Sequence, residues 1–182
     1  DGIVNSVGKP NMLVDLRVVG EDGQDVAAGE VGELWARGPN IMTGYLNLPD
    51  ETAAAISDGW LHTGDMARID EGGYVYLLDR LKDLVITGGE NVYSSEVEAA
   101  LHRHPAVSEA AIIGLPDDKL GEALFAVIVL RPDTAASEDE LISHCRELIG
   151  GYKIPRSYAF VEALPKSALG KVLKAELRQQ YS

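Results

Sequence analysis

Apolar and β-branched residues crowd two short stretches near the start of the chain, residues 12–19 and Val31–Arg37, with the turn Glu21-Asp22-Gly23 between them. Both read as strands. Residues 66–69 and 74–78 flank Glu71-Gly72-Gly73, which predicts a hairpin. One short helix is expected at residues 50–56. After Lys82 the pattern changes. Ser95-Glu96-Val97-Glu98 has the form of a capping box, ahead of Val97, Ala100 and Leu101 at helical spacing, and Pro105 stops that helix. Residues 107–115 and 124–130 are continuous apolar runs of strand length, as expected where both faces of a sheet are covered, with Asp117 and Asp118 turning the chain between them. A second capping box, Ser137-Glu138-Asp139-Glu140, opens a helix that places Leu141, Ile142, Cys145, Leu148 and Ile149 on one face and ends at Gly150-Gly151. Residues 158–161 supply a third strand.

The expected fold class is α+β. Residues 1–81 form a β-rich segment, a small distorted barrel completed by residues upstream. Residues 82–182 form a second domain, a three-stranded sheet flanked by helices, and the boundary falls at residues 80–83. A chain of 182 residues can bury one moderate core or two small ones. The charge favours two: residues 1–81 carry 5 basic and 14 acidic side chains, residues 82–182 carry 11 and 15, and the whole chain is −13. Such acidity argues against nucleic acid or an anionic membrane as partner. An anionic ligand needs a local basic site, for which Lys166, Lys171, Lys174 and Arg178 are candidates.

Cys145 is the only cysteine, so no internal disulfide and no paired-cysteine metal site can form, and a reducing cytoplasm is the expected location. His62, His102, His104 and His144 are scattered without ligand-like convergence, and no metal site is expected within the chain. No stretch approaches the roughly 20 apolar residues of a membrane span. Asp1-Gly2-Ile3-Val4 has neither an initiator Met nor a signal-peptide pattern, so the chain reads as the end of something longer.

Three short motifs carry candidate chemistry. In Thr63-Gly64-Asp65, the carboxylate could accept hydrogen bonds from two vicinal sugar hydroxyls, although an Asp beside a Gly is commonly turn chemistry. Arg80, taken singly, reads as a surface charge. The two flank one hairpin that can bring them together across its open end. Lys82 sits where the β pattern gives way to the mixed one, and a few residues there could absorb the torsion change of a domain rotation. Gly88-Gly89 reads as a hairpin turn at positive φ, and its lack of side chains would also admit a narrow ligand. In Pro165-Lys166-Ser167-Ala168-Leu169-Gly170-Lys171, Gly170 loosens the loop and Lys171 is a mobile cation able to bridge a carboxylate and an α-phosphate. The competing reading makes Lys171, Lys174 and Arg178 one solvated helix face.

Taken in order, Gly32-Glu33-Leu34, Gly44-Tyr45-Leu46-Asn47-Leu48-Pro49-Asp50, His62-Thr63-Gly64-Asp65, residues 79–93 and residues 165–171 resemble the adenylate-forming superfamily, nearest its acyl-CoA ligases of the fatty-acid type. The resemblance implies that residues 1–81 end a large N-terminal adenylation domain and that residues 82–182 are its mobile C-terminal domain. It implies that Asp65 and Arg80 grip the ribose of ATP and that Lys82 is the hinge. It further implies that Gly88 and Gly89 line the pantetheine channel of CoA, and that Lys171 is the adenylation lysine, a kind of site also used for regulatory acylation. Glu90-Asn91 stands where other branches carry more basic or aromatic residues. The implied substrates are a carboxylic acid, ATP with Mg2+, and CoA; the Mg2+ ligands, the phosphate loop and the acyl pocket are expected upstream of Asp1, in the remainder of the same enzyme. Two alternatives remain open, an adenylating domain that serves a carrier protein and a non-catalytic regulatory or interaction module.

Overall fold

The protein is described by a computed structural model over residues 5–182. Asp1-Gly2-Ile3-Val4, read above as neither a start nor a leader, lies outside the described residues. The chain divides into two compact units, one ending at Lys82 and the other beginning at Asp83.

In the first unit the strands are β1 (Asp15–Val19), β2 (Val31–Arg37), β3 (Ile56–Ser57), β4 (Trp60–Ile69) and β5 (Val75–Arg80), with one helix, α1 (Pro49–Ala55). The five strands form one antiparallel sheet ordered β1-β2-β4-β3, and β5 pairs with the same long strand β4. Among the described residues this sheet is open; the barrel expected of it draws its remaining strands from residues upstream. β1 is shorter than the apolar stretch suggested, because residues 11–14 turn, with Val14 N–H donating to the Asn11 carbonyl, and Met12 and Leu13 face solvent. Alternation in β2 buries Leu34 and Ala36, and Leu34 joins Val18, Ala67 and Val75 in a small core. Pro49 begins α1, where its missing N–H costs nothing.

The second unit contains β6 (Val85–Thr87), β7 (Glu90–Val92), α2 (Ser94–His102), β8 (Val107–Asp117), β9 (Gly121–Leu130), α3 (Glu138–Arg146), β10 (Ser157–Phe160) and α4 (Lys174–Tyr181). Its sheet has five strands, not three: the order is β10-β9-β6-β7, with β8 also on β9. The additional pair is the β6–β7 hairpin, which joins through Thr87 opposite Gly121. β8 and β9 form a long antiparallel hairpin, and β10 runs parallel to β9 through Phe125–Ile128.

The continuous apolar runs have the cause expected of them. Ile112, Ala126 and Ile128 face one side of the sheet with residues of α2 and α3, while Ala111, Ile113 and Val127 face the other with Leu164 and Leu177 of the α4 side. Ser137 caps α3 as the sequence indicates: its hydroxyl accepts the Glu140 N–H at 3.2 Å and its own N–H donates to the Glu140 carboxylate at 2.8 Å. Regular α3 ends at Arg146, before the two glycines, and Leu148 is exposed.

The first capping box does not form. α2 starts two residues early, with Tyr93 at the N-cap in place of Ser95 and no side-chain cap bond. Glu98 turns instead to accept the Ile112 N–H of β8 at 2.9 Å and to pair with Lys174 at 2.7 Å. Tertiary contacts here override a local motif worth about 1 kcal/mol.

Candidate functional site

Asp65 and Arg80 stand directly opposite each other in the β4–β5 register. Arg80 Nε lies 2.9 Å from Asp65 Oδ1, and its Nη1 donates to the Thr63 carbonyl at 3.2 Å. The hairpin thus brings the two charges together across its open end. Half of the Arg80 side chain remains accessible to solvent.

What shapes this corner is a bulge in β4. Three residues, Thr63, Gly64 and Asp65, lie between His62 and Met66, whereas β2 has Leu34 alone between the partners Trp35 and Glu33. Gly64 takes φ +68, a left-handed conformation that a side chain would strain. The backbone groups released from the ladder find side-chain partners. Thr63 Oγ1 donates to the Leu34 carbonyl at 2.6 Å and accepts the Asp65 N–H at 3.1 Å, and Glu33 Oε1 accepts the Gly64 N–H at 2.9 Å. Asp65 therefore lies within a strand, at its irregularity, and not on a bend ahead of one. Glu33, met in the sequence only within the stretch Gly32-Glu33-Leu34, is the residue that sequence reasoning missed.

Lys82 is exposed in a single 3-10 turn, Leu81–Asp83. Its neighbour Asp83 is buried and paired with Arg178 of α4 at 2.9 Å. Gly88 and Gly89 form the two-residue turn between β6 and β7 with φ +60 and +84, the geometry of a type I′ hairpin. A cleft of about 650 Å³ opens beside Gly88, lined also by Thr87, Glu90, Tyr152, Arg146 and Arg156. The two arginines supply positive charge near a loop whose own Glu90-Asn91 does not.

The four basic candidates near the C-terminus part company. Lys166 pairs with Glu109, Lys174 with Glu98 and the Ser94 hydroxyl, and Arg178 with Asp83. Lys174 and Arg178 are thus partly buried structural ion pairs and not one solvated face. Lys171 differs. It is exposed at the end of a tight loop in which Gly170 takes φ +79 and the Ser167 N–H donates to the Lys171 carbonyl at 2.8 Å. Among the described residues, no carboxylate lies within ion-pairing distance of its ammonium. Among the same residues, no group of three or more His, Cys, Asp or Glu side chains converges as a metal cage, and no helix is long and apolar enough to cross a membrane.

The chain matches two family descriptions, AMP-binding enzyme over residues 1–46 and AMP-binding enzyme C-terminal domain over residues 96–171. A feruloyl-CoA synthase of Amycolatopsis sp is 43% identical over 178 residues, 98% of this chain and 36% of that protein. A long-chain-fatty-acid–CoA ligase of Yersinia pestis is 44% identical over 175 residues, 96% of this chain and 31% of its own length. The solved o-succinylbenzoate CoA synthetase of Bacillus subtilis, in complex with its acyl-adenylate intermediate, superposes with a TM-score of 0.90 at 39% identity, covering 96% of this chain and 36% of that one. The chain spans about a third of the length of the curated relatives it matches. With two family matches, this level of identity and a shared fold over nearly all its length, the chain belongs to the AMP-binding, adenylate-forming enzyme family.

Proposed function

We propose that the chain is the C-terminal portion of an ATP-dependent acid–CoA ligase, in which a carboxylate attacks the α-phosphate of ATP to give acyl-AMP and pyrophosphate, and the CoA thiol then displaces AMP. In this reading residues 1–81 close the N-terminal adenylation domain and residues 82–182 are the mobile C-terminal domain, with Lys82 as the hinge between two poses. Asp65 accepts hydrogen bonds from the ribose hydroxyls while Arg80 holds its carboxylate in place. Gly88 and Gly89 border the pantetheine path, and Arg146 and Arg156 in the adjoining cleft suit the phosphates of CoA. Magnesium, which neutralises phosphate charge, is assigned to ligands elsewhere in the protein. The setting is the cytoplasm, where a lone unpaired cysteine is expected.

The observation that carries the reading is the free ammonium of Lys171. Its three basic neighbours are neutralised by carboxylates of their own unit, so Lys171 alone among them is available to meet charge developing on the α-phosphate and the attacking carboxylate. The names of the relatives divide between an aromatic and a fatty acid, which supports a carboxylic acid as substrate class; a long-chain fatty acid and ferulate are the two to assay first.

The test uses the full-length parent protein with Lys171→Ala. ATP–pyrophosphate exchange is expected to fall roughly 10²–10³-fold, the usual cost of one preorganised charge in a transition state. Thioester formation from preformed acyl-AMP is expected to survive. Unchanged rates in both half-reactions would remove Lys171 from the chemistry and favour a non-catalytic module.

A further inference from the structure

Glu33 occupies a place that a scaffold residue of an exposed sheet does not require. Its two carboxylate oxygens have different partners: Oε1 accepts the Gly64 N–H at 2.9 Å, and Oε2 accepts the Trp35 indole N–H at 2.9 Å. Trp35 is itself fixed, its ring stacked on His62 at 4.0 Å and 14°, with His62 Nε2 2.7 Å from the Ser57 hydroxyl. The carboxylate is therefore oriented before it reaches Gly64. The N–H it accepts is one that the β4 bulge withdraws from the ladder, in a residue held at φ +68 between Thr63 and Asp65. An unmatched N–H in this partly buried corner would pull the backbone back toward regular pairing with β2. Regular pairing would remove the arrangement in which Arg80 reaches both the Thr63 carbonyl and the Asp65 carboxylate.

We propose that Glu33 is a positioning residue for recognition of the nucleotide sugar, acting through the Gly64 N–H to hold Asp65 in register with Arg80. The inference rests on the reading of Asp65 as the acceptor of ribose hydroxyls. It predicts an effect confined to the sugar hydroxyls, because the hydrogen bonds of Glu33 run to Gly64 and Trp35 beside Asp65.

The experiment compares ATP with 2′,3′-dideoxy-ATP in pyrophosphate exchange by the full-length parent enzyme and its Glu33→Ala, Glu33→Gln and Asp65→Ala variants. The parent should prefer ATP by about tenfold or more, the value of hydrogen bonds to a charged acceptor, and Asp65→Ala should abolish the preference. Glu33→Ala should raise KM for ATP and cut the preference at least about threefold, with kcat and the KM for the dideoxy nucleotide little changed. Glu33→Gln, of the same shape, can accept only one of the two N–H groups well and should recover part of the preference. If both Glu33 variants keep the parental preference while Asp65→Ala loses it, the role of Glu33 is overturned and the ribose reading stands. If Asp65→Ala itself keeps the preference, the ribose reading fails and this inference falls with it.

Discussion

Asp83 and Arg178, 95 positions apart in the chain, meet through a 2.9 Å ion pair inside the second unit. Three residues earlier, Arg80 is held at the same distance by Asp65 inside the first. Leu81 and Lys82 are the only residues between these two internal anchors. Lys82→Pro in the full-length parent is expected to leave pyrophosphate exchange within a few fold and to slow thioester formation at least about tenfold, because a proline locks one of the few torsions available there. Equal loss in both half-reactions would argue against a pivot at this position.

Lys174 tests the separation of structural from chemical lysines. Its ammonium lies 2.7 Å from Glu98 and 2.6 Å from the fully buried Ser94 hydroxyl, with 14% of the side chain exposed. Lys174→Ala takes the ammonium from both groups and is expected to destabilise the second unit by about 1–3 kcal/mol, read as a shift in the urea midpoint, whereas Lys171→Ala should leave that midpoint unchanged.

Cys145 is completely buried on α3, and burial pushes its thiol above the ordinary range. Thiolate is the reactive form. Alkylation by iodoacetamide at pH 8 is expected to run about 10³-fold or more slower than in the urea-unfolded chain, limited by the small population of opened molecules. Rapid labelling of the native protein would place the thiol elsewhere.

Three carboxyls are held below their usual range by backbone N–H groups: Asp70 by Tyr74, Asp117 by Lys119 and Leu120, and Glu140 by Ser137. A folded value below the unfolded one favours folding above about pH 4, the unfolded carboxylate range, and that contribution is lost as pH falls through the lower folded values. The urea midpoint should accordingly fall between pH 5 and pH 3. Ser137→Ala removes the hydroxyl partner of Glu140, so its destabilisation should be larger at pH 7 than at pH 3.

Elements defined by their own residues were legible in the sequence. β2 runs over Val31–Arg37 as read, the capping box at Ser137 forms with both of its bonds, and Gly88-Gly89 makes the hairpin turn its composition demands. The meeting of Asp65 and Arg80 was also legible, since a hairpin of known turn sets its own register. Features decided by distant partners were not. Glu98 has the spacing of a capping residue, yet the Ile112 N–H and Lys174 claim it, and neither is near it in sequence. The β4 bulge escaped for the same reason, because a strand-internal Gly64 at positive φ looks like a turn until Glu33 and Leu34 are seen beside it. Short β7 was hidden by length: three residues give too little pattern to be read as part of a sheet.

β8 pairs with β9 on one side only, and its other margin lies under α2 and α4, with residues 110–114 buried. Glu98 sits on that margin. By taking the Ile112 N–H, its carboxylate satisfies a backbone donor of β8, and its ion pair with Lys174 reaches on to α4. The residue that forgoes capping its own helix thereby pins α2, β8 and α4 to one another, so Glu98→Ala should lower the urea midpoint of the second unit.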